Sequence, residues 1–94
     1  MGIEYIAAIA ERDYETFRTM LTTPLPSDYE MWLRVRERGK VRAFKERGVI
    51  SDEVEIIPQE FSAYCNGLTR PDFTIATLDR CAREKVLAKN TQPP

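Results

Sequence analysis

One segment of the chain has the pattern of a β-strand. In the sequence DEVEII at residues 52–57, acidic residues alternate with Val54 and Ile56, as in a half-buried strand. A strand cannot satisfy the N–H and C=O groups along its own edges, so this segment needs a partner strand. If residues 3–9 are extended, they pair with residues 53–57 within one molecule. If they are helical, two copies of residues 53–57 form an antiparallel ribbon in a two-fold homodimer.

Helical patterns account for most of the remaining chain. Ser27 and Glu30 have the spacing of a capping box, and Gly48 tolerates the left-handed conformation that ends a helix, which predicts a helix over 27–48. Apolar residues at three- and four-residue steps predict three further helices, from about residue 11 to 22, from residue 58 to 66 and from about residue 70 to 88. The predicted fold is therefore mainly α, with four helices and one short strand that pairs with an N-terminal strand or across a dimer.

Composition indicates one small domain at residues 1–88, followed by a disordered tail at residues 89–94. A hydrophobic fraction of 43% and a charged fraction of 31% are ordinary for a globular domain. No apolar run is long enough to cross a bilayer, and the first residues lack the pattern of a signal peptide. We therefore expect a cytoplasmic protein with no membrane contact.

The sequence has few of the groups that enzymes use. Histidine is absent, which removes the commonest general base and a frequent zinc ligand. No two carboxylates have a spacing that would pair them across a site, and no glycine-rich phosphate loop is present. Cys65 and Cys81 lie in helical patterns, where we expect buried, inert thiols. The sequence thus predicts no catalytic residues, no cofactor and no metal site.

Trp32 and Arg36 lie on one side of the second predicted helix and form a candidate protein-binding surface. Tryptophan and arginine are enriched among the residues that dominate binding energy at interfaces. The structural alternative, which we favour, is that Arg36 lies over the Trp32 ring and that Gly39 lets another element approach closely. Val54 and Ile56 are the matching interface candidates on the strand, for the case in which it pairs across a dimer.

The other side of this helix carries a row of cations that we call the cationic ridge: Arg34, Arg38, Arg42 and Lys45. Positive charge along one helix face is a candidate surface for nucleic-acid phosphates. Glutamates interrupt the charge, and the sequence pI of about 5.5 is low for a nucleic-acid-binding protein. A solvated face with ion pairs inside the helix is the favoured interpretation of the ridge.

Residues 52–88 also resemble the ribbon-helix-helix family of dimeric repressors and antitoxins. The resemblance lies in a strand and a short helix, followed by Gly67-Leu68-Thr69-Arg70-Pro71 and a longer helix. It implies a DNA-binding dimer in which Glu53 and Glu55 face the major groove. It also implies that Thr69 and Arg70 hold a phosphate at the start of the second helix.

Two functions are consistent with these patterns. The first, which we favour, is a non-catalytic macromolecule-interaction protein that self-associates as a homodimer and binds another protein. The alternative is a ribbon-helix-helix-like DNA-binding transcriptional regulator or antitoxin, for which the nucleic-acid candidates are the cationic ridge, Thr69 and Arg70.

Overall fold

The computed structural model describes residues 2–91 and contains two strands and four α-helices in that range. The first half of the chain forms β1 (Gly2–Ala8), a single 3-10 turn (Glu11–Asp13), α1 (Tyr14–Met20) and α2 (Tyr29–Arg47). The second half forms β2 (Val49–Glu55), α3 (Pro58–Asn66) and α4 (Ile75–Thr91). The predicted fold class is confirmed: the chain is mainly helical, and its short strand pairs with an N-terminal strand.

The two strands pair in parallel within the chain. The register runs from Gly2 opposite Val49 to Ala8 opposite Glu55. One further hydrogen bond, from the Ile56 N–H to the Ala8 carbonyl oxygen at 3.1 Å, follows the last strand pair. Residues 3–9 are therefore largely extended, and β2 does not depend on a second copy for its partner.

The position of β2 differs from the prediction. The strand occupies residues 49–55 rather than 52–57, because Val49–Ser51 pair with the first residues of β1. Ile57 does not take part in the strand pairing. Its N–H donates instead to Glu60 Oε1 at 3.1 Å, at the start of α3. The alternation of acidic and apolar side chains predicted only the part of the strand that contains the acidic residues.

Both ends of α2 are capped, but the N-cap lies one residue later than predicted. Asp28 is the N-cap, and its Oδ1 accepts from the Glu30 N–H at 3.0 Å, so the predicted capping role of Ser27 is wrong. Gly48 ends the helix with φ of 65°, as predicted. The expected close approach at Gly39 is also wrong, because a Cβ there would meet nothing within 4 Å.

Helix α2 covers one face of the sheet. Arg47 binds Glu4 of β1 at 3.2 Å, and Lys40 binds Glu53 of β2 at 3.3 Å. Ala7 of β1 packs into a hydrophobic core together with residues of all four helices. The buried residues of this core include Ile9, Tyr14, Phe17, Leu21, Trp32, Ile56, Phe61, Cys65, Leu78, Cys81 and Ala82.

The last helix begins later and ends later than predicted. The Thr74 hydroxyl oxygen accepts from the Thr77 N–H at 3.3 Å and caps α4, whereas the predicted cap was placed at residues 69–72. The Asp72 carboxylate supports this cap by accepting from the Thr74 hydroxyl at 2.9 Å. Helix α4 continues to Thr91, so residues 89–91 of the predicted tail are helical in the structure. The remainder of the predicted tail, 92–94, lies outside the described residues.

Candidate interaction surface

The buried side of α2 is centred on an arginine between an aromatic ring and a carboxylate. Trp32 is 2% exposed, and the Arg36 Cζ atom lies 4.6 Å from the centre of its ring. Arg36 forms a two-pronged ion pair with Asp79 of α4, with Nη2 to Oδ1 at 2.6 Å and Nη1 to Oδ2 at 3.2 Å. The predicted packing of Arg36 over Trp32 is confirmed, and Asp79 adds an ion pair to it.

Asp79 also covers the outer edge of β1. Its Oδ1 accepts from the Ala7 N–H at 2.8 Å, on the side of β1 that faces away from β2. One carboxylate therefore satisfies the guanidinium of Arg36 and an edge N–H group that would otherwise lack an acceptor. The Arg36 Nε atom is buried without a hydrogen-bond partner among the described residues. This cluster connects α2, β1 and α4.

The four residues predicted as a protein interface lie wholly or largely inside the molecule. Trp32 and Ile56 are buried, and Val54 is half-buried against the core. The Arg36 side chain is 14% exposed. Because these side chains pack against other elements of the same chain, they offer a partner little surface, and the candidate interface must be sought elsewhere.

The outer edge of β2 is a second candidate for the interface. Among the described residues the sheet has only two strands, so no strand lies beyond β2. Because the Ile56 N–H points toward β1, the period of two directs the N–H groups of Ser51 and Glu53 outward. Ile50, Asp52 and Glu53 are exposed along this segment. The edge is thus accessible for pairing with another strand.

Apolar side chains border this open edge. Val41 and Phe44, three residues apart on the flank of α2, are 45% and 54% exposed, and Ile50 of β2 is 47% exposed. With Val49 they line a shallow groove of about 300 Å³ between the helix and the strand. We call Val41, Phe44 and Ile50 the apolar strip. Neighbouring exposed apolar groups of this kind are typical of interaction sites.

The cationic ridge lies on the outer face of α2. All four side chains are exposed, and none forms an ion pair or hydrogen bond among the described residues. Glu37, the glutamate nearest the middle of the ridge, binds Lys40 at 3.0 Å instead. The ridge is thus the solvated face that we expected, but the ion pair inside the helix is between Glu37 and Lys40 and does not include a ridge residue.

The residues that the family resemblance singles out are separated in the structure. Thr69 and Arg70 are exposed in the segment between α3 and α4. Glu53 binds Lys40 beneath α2, and Glu55 binds Arg12 at 3.4 Å. The strand carboxylates are thus engaged within the chain.

Other chemistry is sparse in the part of the chain that the structure describes. Both cysteines are free and buried, and burial raises the pKa of Cys65 and raises that of Cys81 to about 11. These thiols are therefore protonated near neutral pH. Residues 2–91 contain no group of three or more acidic or cysteine side chains placed to hold a metal ion. No described helix is both long enough and apolar enough to span a membrane.

Comparisons with protein-family models, with curated proteins and with solved structures find no match to this chain. The candidate surface therefore depends on its geometry. Sequence reasoning missed the apolar strip, although the three-residue spacing of Val41 and Phe44 was a usable signal. It also missed Asp79, for which the sequence offered no signal, because its partners are distant along the chain.

Proposed function

We propose that this protein is a non-catalytic interaction protein that self-associates through the open edge of β2 and the apolar strip. The observation that carries the proposal is the coincidence of an unpaired strand edge with exposed Val41, Phe44 and Ile50. Edge N–H groups supply hydrogen bonds to an added strand, and the adjacent apolar side chains supply the area to be buried.

Charge along β2 favours an antiparallel arrangement of two copies. The amino end of the strand is apolar and follows the cationic end of α2, which carries Lys45 and Arg47. The carboxyl half carries Asp52 and Glu53. Antiparallel pairing brings the cationic end of one copy to the acidic half of the other, whereas parallel pairing brings like charges together. The second copy is therefore the partner that complements this edge.

The same arrangement buries Val41 and Phe44, the two members of the apolar strip that lie on α2. A two-fold axis perpendicular to the sheet keeps both α2 helices on one face of a four-stranded sheet, with β2 beside its copy at the centre. The flanks that carry Val41 and Phe44 then meet each other across the axis. The surface that is exposed in one chain becomes a helix–helix contact above the joined strands.

The test measures molar mass by light scattering coupled to size-exclusion chromatography. We expect the wild-type protein to have about twice the mass of one 10.9-kDa chain. Val41→Glu places a charge in the strip and is expected to give monomers. Val35→Glu is the matched control, because Val35 is 41% exposed on the opposite flank of the same helix. A monomeric wild type, or a dimer that both variants leave intact, contradicts the proposal.

The alternative function is a ribbon-helix-helix-like DNA-binding regulator or antitoxin. The order β2, α3 and α4 and the exposure of Thr69 and Arg70 support it, and an antiparallel β2 pair is the ribbon that the resemblance implies. Groove reading by Glu53 is not part of this proposal, since that carboxylate is already paired with Lys40. Salt-dependent retention on duplex DNA that Arg70→Gln weakens would support the alternative, and unchanged retention in that variant would count against it.

A further inference from the structure

We infer that the cationic ridge is a docking surface for the phosphate backbone of duplex DNA. Its members, Arg34, Arg38, Arg42 and Lys45, follow one another at steps of one helical turn along the exposed face of α2. In an α-helix these steps place four positive charges along roughly 16 Å. A protein that neutralises phosphates in this way gains affinity by releasing the counterions that they hold.

The acids nearest the ridge leave its cations unpaired in the part of the chain that the structure describes. Glu37 and Glu53 share Lys40, and Glu4 binds Arg47, so these three carboxylates are paired with cations outside the ridge. Glu30 lies one helical turn before Arg34, and Glu46 lies one turn after Arg42, but neither forms an ion pair with a ridge residue within residues 2–91. No carboxylate is found paired with a ridge side chain among the described residues. The protein as a whole carries a net charge of −1, so binding is expected at low salt.

The chemistry of the ridge favours duplex DNA over other polyanions. The four ridge residues include no aromatic side chain on which the bases of a single strand would stack. Duplex DNA carries about one negative charge per 1.7 Å of its axis, so it presents a denser row of phosphates to the ridge than a single strand does.

This inference does not depend on self-association, because one chain carries the entire ridge. The two-fold arrangement proposed above would place both ridges on the same face of the assembly. Self-association would therefore strengthen binding without creating the surface.

The experiment measures fluorescence anisotropy of a labelled duplex of about two helical turns with the full-length chain, between about 50 and about 200 mM salt. Four phosphate contacts predict a loss of affinity of about 150-fold over this range, from a slope of about −0.9 per contact. The double variant Arg34→Gln/Arg38→Gln is expected to lose only about 12-fold over the same range, because two contacts remain. It also binds more weakly than the wild type at the lowest salt.

The matched control is Arg80→Gln/Arg83→Gln, which removes two exposed arginines of α4 that form no ion pair among the described residues. It is expected to keep the wild-type salt dependence, and circular dichroism checks that both variants are folded. Equal effects of the two double variants would overturn the inference, as would the absence of duplex binding at the lowest salt. Single-stranded DNA, duplex RNA or polyglutamate that competes better than duplex DNA would assign the ridge to that ligand and overturn it as well.

Discussion

Both faces of α2 carry arginine, which is paired and largely buried on the inner face and exposed on the outer face. Arg36 on the inner face is held between Trp32 and Asp79, whereas Arg38, two residues later, is exposed and forms no ion pair among the described residues. Two residues correspond to a rotation of about 200° around a helix, so the two side chains point in nearly opposite directions. One arginine belongs to the packing of the domain, and the other is free to meet a ligand.

The difference shows that the role of a charged residue is decided by the element opposite it. Asp79 lies on α4 and is distant in sequence from Arg36, yet it fixes the position of that guanidinium and of the Ala7 N–H. No described residue stands opposite the ridge in the same way. Surface ion pairs contribute little to stability, so the four ridge cations are expected to affect folding only weakly.

The largest expected effect comes from removing the centre of the inner face. Trp32→Ala deletes a ring that is 2% exposed and leaves a cavity in the core, so we expect a loss of about 3–5 kcal/mol in the free energy of unfolding. Urea denaturation followed by circular dichroism measures it. Met31→Ala, on the exposed side of the same helix, is the control and should change stability by less than about 0.5 kcal/mol. Similar losses for both variants would contradict the assignment of an inner and an outer face.

A matched pair of arginine variants gives the next largest difference. Arg36→Gln leaves the partly buried Asp79 carboxylate without its cation and removes the contact with Trp32, so we expect a loss of about 2–3 kcal/mol. Arg38→Gln removes the same charge from the ridge and should be nearly neutral in the same denaturation experiment.

Equal stability of these two variants would mean that the Arg36–Asp79 pair contributes nothing net. That outcome is informative because removing two ionic partners from water has its own cost. The double variant Arg36→Gln/Asp79→Asn would then show whether the two residues are energetically coupled.

Sequence patterns predicted the elements well where local chemistry decides them. The end of α2 at Gly48 and the start of α3 at Pro58 depend on backbone preferences that a single residue expresses. The first residues of the chain were ambiguous between helix and strand. Pairing with β2 settles their conformation, and that pairing depends on residues more than 40 positions away.

The candidate site was harder to predict than the fold. An aromatic residue beside an arginine has the composition of an interface, and the same composition suits a buried cation–π pair. Only the position of α4 and its Asp79 distinguishes these cases. The ridge was visible as a periodic pattern, but its spacing did not show that Glu37 pairs with Lys40, which also binds Glu53 of β2.

Lys40, at the boundary between the two faces, gives a smaller effect that depends on pH. Its pKa is raised by the hydrogen bond to Glu37 and by the charge of Glu53, against the opposing effect of burial. Because the folded pKa lies above the unfolded value near 10.5, the stabilisation is complete below that value and is lost as the pH rises through the folded pKa. Lys40→Gln should lose about 1 kcal/mol at neutral pH.

Denaturation midpoints of the wild type and of Lys40→Gln between pH 7 and about pH 11 measure this contribution. The difference between the two proteins should shrink at the alkaline end. A difference that stays constant across the range would indicate that packing of the lysine stem, rather than its charge, provides the stabilisation.

The smallest expected effects concern two glycines, Gly39 within α2 and Gly48 at its C-cap. At Gly39 an added Cβ meets nothing within 4 Å, so Gly39→Ala is expected to stabilise the helix by roughly 0.5–1 kcal/mol. At Gly48 the φ of 65° lies in the left-handed region, so Gly48→Ala should destabilise by about 1 kcal/mol although space is available there too. Thermal unfolding of both variants at equal protein concentration tests the pair. A loss of stability at Gly39 would mean that a group contacts this position in solution and would contradict the open space seen around it.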